Sequence, residues 1–232
     1  MRVWLYNQYK WQIRPLIFKF LRFITRKKVK IKINGFKNET DFRFSSQESR
    51  LSISGDNNQV SIHPNTNIKS INIYINGDNN ILKFDENVHI DNLSIYCEGN
   101  NCSFIISRGS YISSAVFILA ESGTGIKIGK NCMFAGGIEI RTGDSHGIFD
   151  ISSKVRINHG KNVVIGDYVW VANGATILKG ANIPNGSIIG SKSLVCGKLD
   201  FENSIYVGIP AKAVKKNVAW AWELNRFPEH RF

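Results

Sequence analysis

The run Ile165-Gly-Asp-Tyr-Val-Trp-Val171-Ala-Asn-Gly-Ala-Thr-Ile177-Leu-Lys-Gly-Ala-Asn-Ile183-Pro-Asn-Gly-Ser-Ile-Ile189-Gly-Ser-Lys-Ser-Leu-Val195 decides the fold. Ile165, Val171, Ile177, Ile183, Ile189 and Val195 recur at every sixth position without a gap. The fourth residue after each of the first five is small or β-branched: Val169, Ala175, Ala181, Ser187 and Ser193. An amphipathic helix needs apolar residues at alternating steps of three and four, and this segment lacks them. A hexad fits one flat side of a triangular coil, with the aliphatic pointing into the prism and the small residue close to a corner.

Upstream the period is longer. Ile53-Ser-Gly-Asp-Asn-Asn-Gln-Val60, Ile75-Asn-Gly-Asp-Asn-Asn-Ile-Leu82 and Cys97-Glu-Gly-Asn-Asn-Cys-Ser-Phe104 resemble one another, and Gly55, Gly77 and Gly99 are spaced by 22 residues. Gly and Asn accept positive φ at low cost, so each cluster reads as a tight turn. Alternating β-formers such as Ile71-Asn-Ile-Tyr-Ile75 lie between the turns. Short strands and turns at constant period are the pattern of a solenoid whose coils bury their inner residues only by stacking.

The two ends differ from this body. Residues 1–38 carry eleven Lys/Arg and no Asp or Glu, against a net charge of +12 for all 232 residues. The basic balance therefore belongs to a front end and gives no sign of nucleic-acid binding. Trp4, Tyr9, Trp11 and the Leu16–Ile24 stretch put bulky apolar residues among these cations, and Pro15 suits the first turn of a helix. Two readings stay open: a helix lying on an anionic membrane surface through residues 1–30, or a cap on the solenoid end. The tail, with Trp220, Trp222 and Phe227, is expected to be helical and to cover the solenoid end or a subunit boundary. The expected division is 1–37 for the basic segment, 38–213 for the solenoid and 214–232 for the tail.

Composition excludes other classes. At 43% hydrophobic and 21% charged the chain is neither disordered nor collagen-like. It contains no apolar run of about 18 residues that would span a bilayer. Cys97, Cys102, Cys132 and Cys196 have no CxxC or histidine company, so a reducing cytoplasm and no metal are expected.

One stretch breaks the hexads with polar residues: Ile138-Glu-Ile-Arg-Thr-Gly-Asp-Ser-His-Gly-Ile-Phe-Asp150. His146 sits there among Arg141, Asp144 and Asp150. Imidazole is the side chain whose ordinary pKa suits removal of a hydroxyl proton near neutrality. Asp144, or else Asp150, could fix its tautomer. A loop histidine that merely closes a turn is the plainer alternative. His63, His89 and His230 show no acidic or nucleophilic company at useful spacing.

From about residue 120 to 216 the chain resembles the hexapeptide-repeat acyltransferases, and Val207-Gly-Ile-Pro-Ala-Lys212 matches the segment with which that family leaves its β-helix. Ile165-Gly-Asp-Tyr-Val-Trp170 resembles the element that the family's catalytic histidine precedes, and His146 falls at the matching distance. Thr-Gly-Asp-Ser-His resembles the corresponding motif of acetyltransferases that decorate bacterial surface polysaccharides. The resemblance implies an all-β solenoid wound as a left-handed parallel β-helix, usually a homotrimer with sites between neighbouring prisms. It also implies acetyl-CoA as donor and a sugar hydroxyl of a surface polysaccharide, or its lipid- or nucleotide-linked precursor, as acceptor. His146 is then the general base with Asp144 beside it. Trp170, Asn173, Ser191, Cys196, Gly197 and Lys212 line the cofactor. Arg141, Ser145 and His159 are expected to face the acceptor, with His159 also the second candidate for the base. The family's usual partner asparagine has no clear counterpart. The alternatives are a small soluble acceptor, a non-catalytic scaffold, or a zinc-dependent relative needing three histidines where the relevant coils hold His146 and His159. The expected location is cytoplasmic, with peripheral contact at the inner face of the membrane.

Overall fold

A computed structural model describes residues 29–41 and 49–229. The expectations for residues 1–28, including the N-terminal helix, and His230 lie outside the described residues. The body is an all-β parallel solenoid with a triangular section. Met133–Phe134, Trp170–Val171, Ile188–Ile189 and Ile205–Gly208 stack as one side. Ile138–Arg141, Thr176–Ile177 and Leu194–Val195 stack as the second. Gly125–Ile128, Val163–Ile165 and Asn182–Ile183 belong to the third, a seven-stranded sheet that begins at Glu39–Asp41.

The six hexad aliphatics are each 1% exposed or less, because every one points into the prism. Burying such a side chain contributes roughly 1.5–3 kcal/mol, so the stacked column accounts for much of the stability. In the earlier coils Asn67–Asn76, His89–Cys97 and Tyr111–Leu119 each run over the first and second sides as one long strand. Their inner space is filled by Phe84, Phe104, Phe117 and Phe134, packed ring to ring at 5.2–6.4 Å.

Two ladders set the 22-residue coil. At φ +134° and +146°, Gly55 and Gly77 lie so close to the next coil that a Cβ would stand 2.2 and 2.4 Å from the following glycine's carbonyl oxygen. Buried Asn58 and Asn80 each donate their side-chain amide to the preceding asparagine's oxygen, at 3.0 and 2.9 Å, and the Cys102 amide closes the ladder on Asn80.

The ends depart from expectation. Val29–Asn34 pairs in register with Ser49–Ser54, so the solenoid begins before residue 38. Among its described residues the tail forms no α-helix. Ala211–Lys215 turns back antiparallel on Ile205–Gly208. The chain then climbs along the first side, where Trp220 donates its Nε1 hydrogen to the Tyr168 carbonyl at 2.6 Å and Trp222 meets Tyr111 edge-on. Burial of the Trp220 indole, with Trp222 in ring contact beside it, outweighs a weak helix propensity.

Candidate active site

After residue 125 one coil takes 37 residues, while those that follow take 18 and 17. The excess is the excursion that leaves the second side after Ile138–Arg141 and rejoins the third at Val163–Ile165. Its two ends are tied together, since the Lys161 amide donates to the Thr142 carbonyl at 2.9 Å. Thr142 is fully buried and its hydroxyl pairs with that of Thr124 at 2.8 Å, so the excursion starts from a fixed point. Beyond it Phe149 and Arg156 bridge antiparallel, making a hairpin whose Ile148, Phe149, Ile151, Val155 and Ile157 all face outward, Ile151 at 93% exposure.

Asn158 organises this loop. It is 8% exposed, and its Nδ2 donates to the Asp144 carboxylate at 2.8 Å and to the His146 carbonyl at 2.7 Å. Its Oδ1 accepts from the Ile148 amide and from Arg156 Nε. Lys179, one coil below, reaches both the Asp144 carboxylate and the Asn158 carbonyl, at 2.5 and 2.8 Å. Arg156 grips Glu121 with both terminal nitrogens, and the Gly160 amide donates to the same carboxylate. The ammonium of Lys179 and the Asn158 amide hold Asp144 below its ordinary carboxylate pKa. Arg156 does the same for Glu121, helped by the Gly160 amide.

His146 is thus fixed by its main chain while its exposed ring makes no hydrogen bond among the described residues. Asp144 does not bond that ring; its carboxylate faces Lys179 and Asn158 and acts on the backbone. Asp150 caps the hairpin turn through Ser153, which lowers its pKa. Ser145, at φ +63°, turns the chain into His146. His159 stands exposed 3.9 Å from Glu121, and Arg141 pairs with Glu139 at 2.9 Å.

The expected cofactor residues fall into two groups. Cys196 and Gly197 lie on the corner below the His146 excursion, where Cys196 is exposed and a Cβ on Gly197 would meet open space. Trp170, Asn173, Ser191 and Lys212 lie on the first side or at its far corner. Asn173 accepts the Gly136 amide there, and the Ser191 neighbour Lys192 donates its own amide to the Asn173 carbonyl. Trp170 packs on Trp220 at 6.3 Å. Within one prism the second side separates the two groups.

Sequence reading missed Asn158, because its side chain's four partners lie up to 14 residues away and Lys179, on its carbonyl, 21 away, and only folding gathers them. It also missed the company of His89. That ring stands 3.3 Å from Asp91, whose carboxylate accepts from Lys69 and Tyr111 as well. The Lys69 ammonium and the Tyr111 hydroxyl hold Asp91 below its usual pKa, so this second cluster is internally satisfied.

No protein-family model matches the sequence. A polysialic acid O-acetyltransferase of Neisseria meningitidis is 39% identical over 172 residues, covering 74% of this chain and 79% of the relative. Among solved structures, the polysialic acid O-acetyltransferase OatWY superposes with a TM-score of 0.78 at 33% identity, over 88% of this chain and 95% of that one. The polysialic acid-specific acetyltransferase NeuO gives a TM-score of 0.64 at 26% identity, over 86% and 84%. With its hexad core, its parallel solenoid and these relatives, the chain belongs to the hexapeptide-repeat O-acetyltransferases.

Proposed function

We propose that this enzyme moves an acetyl group from acetyl-CoA to a hydroxyl of an acidic surface polysaccharide of the polysialic acid kind, with His146 as general base. The observation that carries the reading is His146 itself: an exposed imidazole on a backbone pinned by a buried asparagine. The imidazole takes the proton of the acceptor hydroxyl as its oxygen attacks the thioester carbonyl. Backbone N–H groups stabilise the oxyanion, the carbon–sulfur bond breaks, and the proton passes to the departing thiolate. Asp144 and Asn158 are positioning residues in this scheme.

Open space at Gly197 and the exposed Cys196 leave room for an extended pantetheine arm, and the exposed Lys192, Lys198 and Lys212 suit the phosphates of the coenzyme's nucleotide. The coil is taken as left-handed and the assembly as a trimer in which the corner bearing His146 meets the Trp170 side of a neighbour. Two points support that assembly: the residues expected to line the cofactor fall on two separate parts of one prism, and the hairpin presents five apolar side chains to the outside. The basic segment 1–30 would hold the enzyme at the inner face of the membrane, where growing glycans are met. No helix among the described residues is long and apolar enough to cross a membrane.

The test is incubation with acetyl-CoA and a panel of acidic and neutral polysaccharides. Ester-bound acetate on the acidic polymer, read by mass spectrometry, is expected; acetate on none of the polymers contradicts the reading.

A further inference from the structure

At the corner between the second and third sides, the column Gly55, Gly77 and Gly99 continues 22 residues further on at Glu121. A Cβ on any of these three glycines would run into the backbone of the next coil. Below Glu121 the next coil makes the His146 excursion instead. The close approach passes to Gly160, where a Cβ would stand 2.9 Å from that of Glu121. An acidic side chain thus occupies a position that the coils above reserve for glycine. Its main chain is held from inside the solenoid, since the Glu121 carbonyl accepts from the Thr124 hydroxyl at 2.6 Å and from the buried Cys102 thiol at 3.4 Å.

From that fixed point the Glu121 carboxylate accepts from Arg156 Nη1 at 3.1 Å, from Arg156 Nη2 at 2.7 Å and from the Gly160 amide at 2.8 Å. The same planar guanidinium donates through Nε to Asn158 Oδ1 at 3.1 Å, and its Nη2 lies 3.4 Å from the Asn158 carbonyl oxygen. A fork pairing of this kind fixes orientation as well as distance, so Arg156 cannot turn without releasing both Glu121 and Asn158. Through its Nδ2, Asn158 then holds the His146 carbonyl. Lys179 ties the excursion to the coil below, and Glu121 ties it to the coil above. Arg156 keeps Glu121 below the usual carboxylate range, so this anchor is charged at every pH at which an ordinary imidazole titrates. The second imidazole near it is His159, whose Nδ1 stands 3.9 Å from the Glu121 carboxylate.

We infer that Glu121 is a positioning residue for the transfer: through Arg156 it sets Asn158, and through Asn158 the main chain from which the His146 imidazole projects. The inference rests on the catalytic reading of His146 given above and adds the point outside the excursion from which the base is placed. An ion pair that only stabilised the fold would leave the turnover of the folded enzyme unchanged.

The test uses the full chain and two readouts. One is the NMR signal of the His146 ring in histidine-labelled protein, assigned by its loss in His146→Ala. The other is steady-state turnover of acetyl-CoA with polysialic acid. Glu121→Gln, which keeps the shape and removes the charge, should shift the His146 signal and lower kcat about tenfold, with the KM for acetyl-CoA little changed. Placed on Asn158→Ala, it should add nothing further, because both substitutions break one chain of contacts. Should Glu121→Gln melt early, Arg156→Lys replaces it, keeping the charge but losing the fork, with both readouts moved in the same direction. An unmoved His146 signal with unchanged kcat overturns the inference. So does a full additional loss on Asn158→Ala, or a loss that vanishes only on His159→Ala, which would route the effect through the other imidazole. Turnover that His146→Ala leaves intact overturns the catalytic reading instead, so the two failures give different results.

Discussion

The side-chain amide of Asn158 lies 2.7 Å from the carbonyl oxygen of His146 and 2.8 Å from the carboxylate of Asp144. One buried side chain therefore fixes the main chain of the candidate base and the acid before it, leaving the imidazole free to meet a substrate. Asn158→Ala should lower kcat by about 10²-fold through misplacement of His146. Four lost hydrogen bonds at a nearly buried site should also cost about 1–3 kcal/mol in a urea melt. The KM for acetyl-CoA should change far less than kcat.

The Asp144–Lys179 pair makes loop stability depend on pH in a defined direction. The folded-state pKa of Asp144 is lowered, chiefly by Lys179, from an ordinary value of 3.8. Its stabilisation is thus fully present above pH 3.8 and is lost as pH falls through the lower folded value. Urea midpoints of wild type and Asp144→Asn should differ at neutral pH and converge on acidification below that point. A gap that widens in acid would contradict the assignment.

The tail acts as a strap. Trp220 is 6% exposed and touches Trp170, Trp222 and Tyr168. Trp220→Ala should destabilise by roughly 3–5 kcal/mol, the usual loss for a large buried aromatic. Trp220→Phe, which loses chiefly the bond to the Tyr168 carbonyl, should cost about 1 kcal/mol. Thermal melts separate the two.

Cys97, Cys102 and Cys132 are buried, and Cys196 is exposed on the corner assigned to the donor. A maleimide should label Cys196 first. Acetyl-CoA should slow that labelling, which mass spectrometry of the modified peptide would show; labelling at the same rate with and without it would remove Cys196 from the donor groove.

The hexads from Ile165 to Val195 were legible because each inward side chain contacts the same position of the next coil, so a local period carries the whole packing scheme. The excursion that carries His146 was legible for a similar reason, as a polar break in that period. Asn158 was not, since its role comes from partners gathered from both arms of the excursion and from Lys179 on another coil. Nor was the course of the tail, because the surface that receives Trp220 and Trp222 is built from residues 50 or more positions upstream. Asp144 was expected to fix the imidazole, but its hydrogen bonds run to Lys179 and Asn158. Local order in the sequence reports stacking; it does not report which neighbour a loop side chain chooses.

The most direct measurement is release of free thiol from acetyl-CoA, with polysialic acid as acceptor, by wild type and by His146→Ala of matched thermal stability. Loss of the base should reduce turnover by about 10²–10⁴-fold while the polymer is still bound. Equal turnover by the two proteins would contradict the account.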